Sequence, residues 1–278
     1  MTEKIITSRD NALVKHARSV RDGKHAQQIF VEGLRLCEEA NQALGARDIQ
    51  EVIYTERIAQ DTRGAKLLDS LKLSGARRAI VSQPVFASIS DTKTPQGIVL
   101  LVSRPETGQR RLVKSAKETP LIVVLHRVNN PSNAGAILRT AEAAGASGAI
   151  LTEGTTDIFA PKALRGAMGA SFRLPLWTGA NYQAALAWCK DRGIRTISAA
   201  TGANITHTEI DWTRPSAMIV GAESSGLTAE ELAQADAALS IPMRAPVESL
   251  NVAVAAAIVL YEAARQRTGV RGQGSGAG

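Results

Sequence analysis

The sequence contains little cysteine and little histidine, which limits the cross-links and metal chemistry that it can support. Among 278 residues there are two cysteines, Cys37 and Cys189, and neither belongs to a Cys-x-x-Cys pair or to a Cys/His cluster. A disulfide framework and a zinc site are therefore disfavoured, and we expect both thiols to be buried and unreactive. The four histidines are scattered along the chain, so we predict no metal site.

Long apolar runs are also missing. No run approaches the roughly 18 residues that a membrane-spanning helix needs, and the first residues lack the apolar core of a signal peptide. We therefore expect a cytoplasmic protein without a membrane anchor. A composition of 44% hydrophobic and 21% charged residues is that of a globular protein, and its length suits two modest domains.

The positive charge is concentrated in the front of the chain. The formal net charge is +7, and residues 1–120 contain 20 Lys and Arg against 14 Asp and Glu, whereas residues 121–278 contain 13 against 12. A basic surface favours a polyanionic partner, because contacts to phosphates release counterions from a nucleic acid. An ordinary solvated surface would explain the same charge, so charge alone leaves both interpretations open.

The first hundred residues alternate between strand and helix patterns. A basic segment with helical spacing around 11–20 comes first, and short apolar runs with turn residues between them follow. The predicted strands are Gln28–Glu32, Glu51–Thr55, Arg78–Ser82 and Gly97–Val102, and the predicted helices are Leu34–Leu44 and Arg57–Leu71. This alternation predicts a small α/β domain over residues 1–103. The polar stretch 104–119 is predicted to be a linker.

The second half continues the alternation from a run of five apolar residues, which is typical of a strand that is covered on both faces. The predicted strands are Leu121–Leu125, Gly148–Leu151, Arg173–Trp177, Arg195–Ala199, Ala217–Val220 and Ala238–Ile241. The predicted helices are Ala134–Ala144, Pro161–Met168, Asn181–Arg192, Thr228–Ala235 and Leu250–Arg265. We predict an α/β domain with a doubly wound, mostly parallel sheet over residues 120–266, followed by a disordered tail at 267–278.

Three polar clusters lie at predicted strand ends or helix starts in this second half. Loops that leave the carboxyl ends of neighbouring parallel strands converge on one crevice, so distant clusters can form one site. The cluster Gly221-x-Glu223-x-x-Gly226 follows a strand but lacks the second glycine of a dinucleotide fingerprint, which disfavours a nicotinamide or flavin site. Glu223 could accept hydrogen bonds from a ligand or another loop, or it could simply favour the following helix N-terminus.

The other two clusters each admit a structural and a functional interpretation. Ser249 is placed to cap the last helix, but Asn251 has no evident packing role there. Asn133 is a good helix cap, and Arg139 lies inside the same predicted helix, four residues after Gly135. An arginine there could be an exposed residue whose stem covers apolar surface, or its planar guanidinium could bind a phosphate.

Taken together and in this order, the clusters resemble the SpoU (TrmH-like) class of the SPOUT superfamily of RNA 2′-O-ribose methyltransferases. The matching segments are Asn133-x-Gly135-x-x-x-Arg139, Gly221-x-Glu223-x-x-Gly226-Leu227, Ile241-Pro242-Met243 and Ser249-Leu250-Asn251. A weaker likeness in the front half, at Phe30-Val31-Glu32-Gly33 and Thr94-Pro95-Gln96-Gly97, points to a ribosomal-protein-like substrate-binding domain. One departure is Asn129-Asn130-Pro131, where relatives often have an aspartate before the proline.

The resemblance implies a parallel sheet threaded into a deep trefoil knot, S-adenosylmethionine bound in the knot, and a homodimer joined through the knotted domain. The cofactor-binding positions that it implies are Thr201, Gly202, Gly221, Ile241, Met243, Ser249 and Leu250. The catalytic positions are Asn133, Arg139, Glu223, Ser249 and Asn251. The candidates for contacts with RNA are Arg9, Lys15, Arg18, Arg139 and Arg165.

The implied chemistry is methyl transfer from a sulfonium to a ribose 2′-hydroxyl, which is mainly a matter of positioning and of assisting proton loss. Because a guanidinium stays protonated in proteins, we assign Arg139 to phosphate binding and charge stabilisation, and we expect Glu223 to orient Arg139 or Asn133. Ribosomal RNA of the large subunit is the expected substrate. The alternatives are a transfer RNA methyltransferase and a non-catalytic RNA-binding or ribosome-assembly protein.

Overall fold

The computed structural model describes residues 4–114 and 119–272. Within these residues the strands are β1 (Gln28–Glu32), β2 (Ile49–Tyr54), β3 (Arg77–Ile80), β4 (Ile98–Ser103), β5 (Leu121–Leu125), β6 (Gly148–Thr152), β7 (Leu176–Ala180), β8 (Arg195–Ala199), β9 (Ile205–Thr206), β10 (Ser216–Val220) and β11 (Ala237–Ser240).

The helices begin and end close to the predicted bounds in most cases. They are α1 (Ala12–Arg21), α2 (Leu34–Ala43), α3 (Glu56–Gln60), α4 (Thr62–Ser70), α5 (Gln83–Ile89), α6 (Gln109–Lys114), α7 (Pro131–Ala143), α8 (Pro161–Ala167), α9 (Ala170–Arg173), α10 (Tyr182–Lys190), α11 (Ala229–Ala233) and α12 (Val252–Gly272). Two 3-10 turns occur at Ala46–Asp48 and Leu71–Ser74.

The chain forms two compact units. One contains the residues up to Glu106 together with Ile158–Arg173, and the other contains Thr107–Asp157 and the residues from Leu174 onward. The first unit has a four-stranded mixed sheet in the order β1-β4-β2-β3, in which β4 is antiparallel to both neighbours. Its core packs α1 and α5 against β1, β2 and β4 through residues such as Val14, Phe30 and Phe86.

The second unit has a parallel seven-stranded sheet in the order β7-β6-β5-β10-β8-β11-β9. All five residues of β5, β6 and β10 are buried, as expected for central strands that are covered on both faces. The predicted α/β fold with a parallel sheet in the second half is thus confirmed.

The strand order identifies where a site should lie. From β5 the chain proceeds outward to β6 and β7, and then it returns to place β10 on the other side of β5. Ligands of open parallel sheets bind outside the carboxyl ends of strands where the strand order reverses in this way. The loops that follow β5 and β10 flank this position.

Several predicted elements differ from the structure. The predicted helix Arg57–Leu71 is interrupted at Asp61, whose backbone is extended and whose carboxylate accepts a bond from the Gly64 N–H at 2.8 Å to begin α4. The predicted strand Arg173–Trp177 is wrong at its start, because Ala170–Arg173 is helical and β7 begins after Pro175. Helix α5 and strand β9 were not predicted.

The predicted linker and tail also contain regular structure. Helix α6 lies within 104–119, and its Leu112 is buried in the core of the second unit. Helix α12 continues to Gly272, so the prediction of disorder from residue 267 is wrong for 267–272. Residues 273–278 lie outside the described residues, and the exact domain boundaries stay predictions.

Both cysteines are buried and free, as expected. Burial raises the pKa of the Cys189 thiol to about 12 and raises that of Cys37 as well, so neither thiol ionises near neutral pH. Among the described residues, no helix has the length and hydropathy that crossing a bilayer requires.

Candidate functional site

The carboxylate of Glu223 joins the loop after β10 to the loop after β5. One of its oxygens accepts a bond from the Asn129 N–H at 3.2 Å, and the other accepts from the Asn130 N–H at 3.1 Å. The side-chain amide of Asn133 donates to the same carboxylate at 3.1 Å. Three donors from one loop and the start of α7 therefore hold Glu223 in place.

These bonds favour the ionised form of Glu223. Partial burial raises the pKa of the Glu223 carboxyl, but its own backbone N–H, the Asn133 amide and the Asn130 and Asn129 N–H groups outweigh burial, so the pKa lies below its usual range. Glu223 is thus an ionised hydrogen-bond acceptor, and it is poorly suited to act as a general acid.

The two glycines of the cluster shape the loop that presents Glu223. A Cβ at position 221 would lie 2.5 Å from the carbonyl carbon of Gly226, so the loop can close on itself only with glycine at 221. Gly226 has φ +60°, which favours glycine, and its N–H bonds to the Ala222 carbonyl at 2.9 Å. Sequence reasoning assigned Gly221 to the cofactor, but the backbone of its own loop already requires a glycine there.

Asn130 begins α7. Its side-chain oxygen accepts bonds from the N–H groups of Ser132 at 2.9 Å and Asn133 at 3.4 Å, and Pro131 occupies the first helical position. The prediction that Asn133 caps this helix is therefore wrong. Asn130 accepts the N–H bonds that an aspartate would accept, so the departure from the family pattern leaves the helix cap intact.

Asn251 begins α12 and reaches the same cluster. Its side-chain oxygen accepts bonds from the N–H groups of Ala253 at 2.9 Å and Val254 at 3.4 Å, so Asn251 is the cap and the role predicted for Ser249 is wrong. Its side-chain amide donates to the Asn133 side-chain oxygen at 3.2 Å. A continuous chain of side chains therefore runs from Glu223 through Asn133 to Asn251.

Two adjoining cavities flank this chain. One has a volume of about 390 Å³ and is bounded by the ends of β8, β10 and β11 and by the segment before α12. Six of the seven predicted cofactor positions line it, namely Thr201, Gly221, Ile241, Met243, Ser249 and Leu250. Gly202 is exposed and is not among the lining residues.

The second cavity, of about 350 Å³, contains the polar cluster. It is lined by Asn129, Asn130, Asn133, Glu223, Ser249, Leu250, Asn251 and Val252. Four residues line both cavities, namely Glu223, Ser249, Leu250 and Val252. A ligand in the first cavity would therefore lie beside the amide and carboxylate groups that line the second, and sequence reasoning missed the contribution of Asn129 and Asn130.

Arg139 is the predicted catalytic residue that the structure leaves apart. It is exposed on α7, it lines neither cavity, and within the described residues its side chain makes no hydrogen bond or ion pair. Of the two residues that Glu223 was expected to orient, Asn133 is the one whose side chain contacts it.

The other predicted RNA contacts belong to the first unit and are partly engaged with protein groups. Lys15 pairs with Asp10 at 3.1 Å, and Arg18 donates to the Arg9 carbonyl at 2.7 Å. Arg165 pairs with Asp91 at 2.7 Å. The side chains of Lys15 and Asp10 are 58% and 87% exposed, so a phosphate could compete for that lysine.

The arrangement can position a nucleophile but offers no evident strong base. Asn133 and Asn251 supply neutral amide groups, Glu223 is already occupied by three donors, and no group of three or more potential metal ligands occurs among the described residues. Such a site is suited to a reaction that depends on orientation more than on proton abstraction.

The sequence is similar to known families over both units. A profile of the SpoU rRNA Methylase family matches residues 120–261, and a profile of the MRM3-like substrate binding domain matches residues 11–100. The 23S rRNA (guanosine(2553)-2′-O)-methyltransferase RlmP of Bacillus subtilis is 31% identical, over 93% of this chain and 98% of the relative. The 23S rRNA (guanosine-2′-O-)-methyltransferase RlmB of Ralstonia nicotianae is 33% identical, over 80% and 90%.

Solved structures show the same similarity. The AdoMet-bound rRNA methyltransferase from Sinorhizobium meliloti superposes with a TM-score of 0.82 at 29% identity, covering 94% of this chain and 97% of the other. The similarity therefore extends over both units and includes a relative whose structure contains S-adenosylmethionine.

Proposed function

The chain belongs to the SpoU rRNA methylase family, and from this premise we propose that it methylates a ribose 2′-hydroxyl of 23S ribosomal RNA with S-adenosylmethionine. Membership of this family was the expectation from the three clusters, and it is confirmed. The observation that carries the proposal is the chain of contacts Glu223–Asn133–Asn251, which joins all three clusters beside the larger cavity.

The larger cavity suits the cofactor. Its volume of about 390 Å³ lies within the usual range for small-molecule sites, and its lining combines apolar side chains such as Leu239 and Ile241 with the backbone of Gly221. S-adenosylmethionine supplies an electrophilic methyl group on a sulfonium. Thr201, Ile241, Met243 and Leu250 would bind it, and Ser249 lies where the two cavities adjoin.

The chain's own residues then hold the nucleotide. Asn133, Ser249 and Asn251 line the second cavity and can bind a ribose, while Glu223 fixes Asn133 by accepting its amide N–H. Arg139 retains its full set of donors, so we assign it to an RNA phosphate and to charge that develops on the ribose oxygen. The basic first unit would bind the surrounding RNA through Arg9, Lys15, Arg18 and Arg165.

Three further features belong to the proposal. We expect the segment between β11 and α12 to form the trefoil knot that the family resemblance implies. We expect a homodimer formed through α12, because Val254 and Tyr261 lie two turns apart on this helix and are 48% and 57% exposed. A cytoplasmic location follows from the proposed ribosomal substrate.

A methyl-transfer assay with defined RNAs tests the proposal. The full chain is incubated with radiolabelled S-adenosylmethionine and either 23S ribosomal RNA or transfer RNA transcripts, and ribose methylation is mapped at nucleotide resolution. A single 2′-O-methylated nucleotide in 23S ribosomal RNA is the expected result. Methylation of transfer RNA alone would show that transfer RNA is the substrate instead. If calorimetry detects cofactor binding but no RNA is methylated, an assembly role would be favoured.

A further inference from the structure

A second set of contacts joins the segment after β5 to the segment after β10, in addition to those of Glu223. The Arg127 guanidinium donates to both carboxylate oxygens of Glu231, at 2.7 and 2.8 Å. His126 contacts Glu231 through Nε2 at 3.0 Å and contacts Thr152 through Nδ1 at 2.9 Å. His126 and Arg127 follow β5 directly, whereas Glu231 lies in α11, which follows the loop that carries Glu223.

Arg127 adopts a backbone conformation that residues other than glycine rarely adopt. Its φ is +55°, and its N–H bonds to the Thr152 hydroxyl at 3.3 Å. A non-glycine residue in this region costs about 1 kcal/mol or more, and it persists where surrounding contacts determine it. The two bonds to Glu231, both donated by Arg127 Nη2, are charge-assisted contacts of this kind.

Arg127 lies shortly before the residues whose N–H groups bind Glu223, so its backbone conformation sets the direction of that segment. Val128 is fully buried and its carbonyl accepts a bond from the Thr156 N–H at 3.0 Å. The next two residues, Asn129 and Asn130, are those whose N–H groups donate to Glu223. The segment after β5 is thus joined to the segment after β10 by two sets of contacts, one through Glu231 and one through Glu223.

We propose that Arg127 and Glu231 are positioning residues, which hold the Asn129 and Asn130 N–H groups at the distance that fixes Glu223 and, through it, Asn133. The positioning role is argued from these contacts alone, whereas its consequence for catalysis rests on the proposed methyltransferase function. Neither side chain lines the two cavities, so their effect passes through the backbone of the loop after β5.

A purely stabilising ion pair is the alternative, and the exposure of the Arg127 side chain argues against a large contribution to folding. The Arg127 side chain is 41% exposed and that of Glu231 is 15% exposed. Pairs that contact solvent contribute little to folding. The Arg127→Ala variant should therefore fold, which allows an effect on the site to be separated from a loss of the fold.

Amide hydrogen exchange tests the positioning role without reference to activity. In the full chain, Arg127→Ala should raise the exchange rates of the Asn129 and Asn130 amides about tenfold. The Ser147 amide, which bonds to the Leu121 carbonyl at the opposite end of β5, should keep its rate. Unchanged rates at 129 and 130, or an equal rise at Ser147, would overturn the proposal.

Three further variants separate the ion pair from the backbone strain. Arg127→Gly removes the pair and relieves the positive φ, Arg127→Lys keeps the charge, and Arg192→Ala removes an arginine that stacks on Trp188 outside the site. We expect Gly to behave like Ala in exchange, Lys to restore most of the protection, and Arg192→Ala to change neither amide. Full protection in Arg127→Gly would assign the effect to strain and contradict the role of the pair.

A double-mutant cycle in the methyl-transfer assay tests the catalytic consequence. Arg127→Ala should lower kcat about tenfold with little change in the KM for S-adenosylmethionine, but it should lower kcat less than about twofold when Glu223 is already Gln. Equal losses in both backgrounds would show that Arg127 acts elsewhere. If the unmodified chain methylates no RNA, the proposed function fails, and the exchange rates still decide the positioning role.

Discussion

An exposed guanidinium with no protein partner among the described residues is free to bind a ligand. Arg139 has this character, whereas Asn133, Glu223 and Asn251 satisfy one another. Its five donors are therefore available to an RNA phosphate, and a planar fork binds phosphate better than an ammonium does. This difference predicts how Arg139 variants should behave.

Replacing Arg139 with alanine should reduce kcat for methyl transfer by about 100-fold or more, the size of effect that follows loss of one charge-stabilising donor. Arg139→Lys should recover only a small part of the activity. The dissociation constant of S-adenosylmethionine, measured by calorimetry, should stay within about twofold, because Arg139 does not line the larger cavity. A parallel loss of cofactor binding would mark Arg139 as a structural residue.

The role of the Asn133 amide as a hydrogen-bond donor to Glu223 can be tested by the substitution Asn133→Asp. Asn133→Asp would place a second carboxylate about 3.1 Å from that of Glu223, in the place of the donor. Like charges at this distance raise the pKa of one of the two groups, so activity near pH 7 should fall steeply. As the pH falls from 7 toward 5, a shared proton restores a donor between the groups, and activity relative to the unmodified chain should rise.

The pH–rate profiles of the two proteins measure this difference. The unmodified site should show no gain on acidification, because the pKa of Glu223 already lies below its usual range. A profile of Asn133→Asp that runs parallel to the unmodified profile at every pH would refute a direct contact between the two side chains. Asn133→Ala is the matched control, since it removes the donor without adding a charge.

The sequence predicted which side chains assemble at the site better than it predicted what each one does. The motif positions Asn133, Glu223 and Asn251 meet as expected, but the capping roles fall to Asn130 and Asn251 instead of Asn133 and Ser249. Caps depend on the residue at which the backbone turns helical, and a run of candidates such as Asn129-Asn130-Pro131 leaves that choice open. The Arg127–Glu231 pair was invisible because its members are 104 residues apart and belong to no motif.

At the scale of elements, strands were predicted more accurately than helix ends. β1, β5 and β8 have the predicted bounds because each is a short run between turn residues, whereas α12 begins two residues later and ends seven residues later than predicted. Composition near 267–272 suggested disorder, but composition does not show contacts that the end of a helix makes elsewhere in the fold. Arg267 makes such contacts.

Arg267 fixes the end of α12 to two other segments. Its guanidinium donates to the carbonyls of Trp212 at 2.7 Å, Thr119 at 2.6 Å and Arg214 at 2.9 Å, and burial lowers the pKa of this guanidinium. Arg267→Ala would remove this donor from all three carbonyls, although the Arg214 carbonyl would keep its bond from the Ser216 hydroxyl at 2.8 Å. We expect the free energy of unfolding to fall by about 3 kcal/mol and the Tm by about 5–10 °C, measured by chemical and thermal denaturation.

Arg265, two residues earlier in the same helix, provides the control. Its side chain is 70% exposed and pairs with Glu262 at 2.7 Å. Because exposed pairs contribute little, Arg265→Ala should cost less than about 1 kcal/mol. Equal losses for the two variants would mean that Arg267 acts as an ordinary helix residue and not as a link between segments.

At the scale of the whole molecule, the sequence predicted two α/β parts but not how the chain divides between them. Ile158–Arg173 follows β6 of the second sheet and yet belongs to the first compact unit, where Arg165 pairs with Asp91 and Arg173 with Glu39. A linear reading assigns each segment to the domain that surrounds it in sequence. Only long-range packing reveals an excursion of 16 residues into the other unit.

The proposed homodimer also belongs to this scale, because it would use the apolar surface of α12. Val247, Leu250, Val254 and Tyr261 are exposed on α12 and on the segment before it, and α7, which carries Arg139, packs against this helix. In a two-fold dimer one substitution alters the interface twice, and an aspartate at a buried position there must lose its hydration. Val254→Asp should therefore weaken a homodimer by about 100-fold or more.

Sedimentation velocity across a range of protein concentrations measures this effect, with Leu73→Asp as the matched control. Leu73 is 88% exposed and belongs to the first unit, not to α12, so its replacement should leave the proposed homodimer intact. Val254 lines neither cavity, so the monomeric variant should still bind S-adenosylmethionine. Because Arg139 lies outside the cavities of its own protomer, that variant should lose methyl transfer, and a fully active monomer would show that one chain completes the site alone.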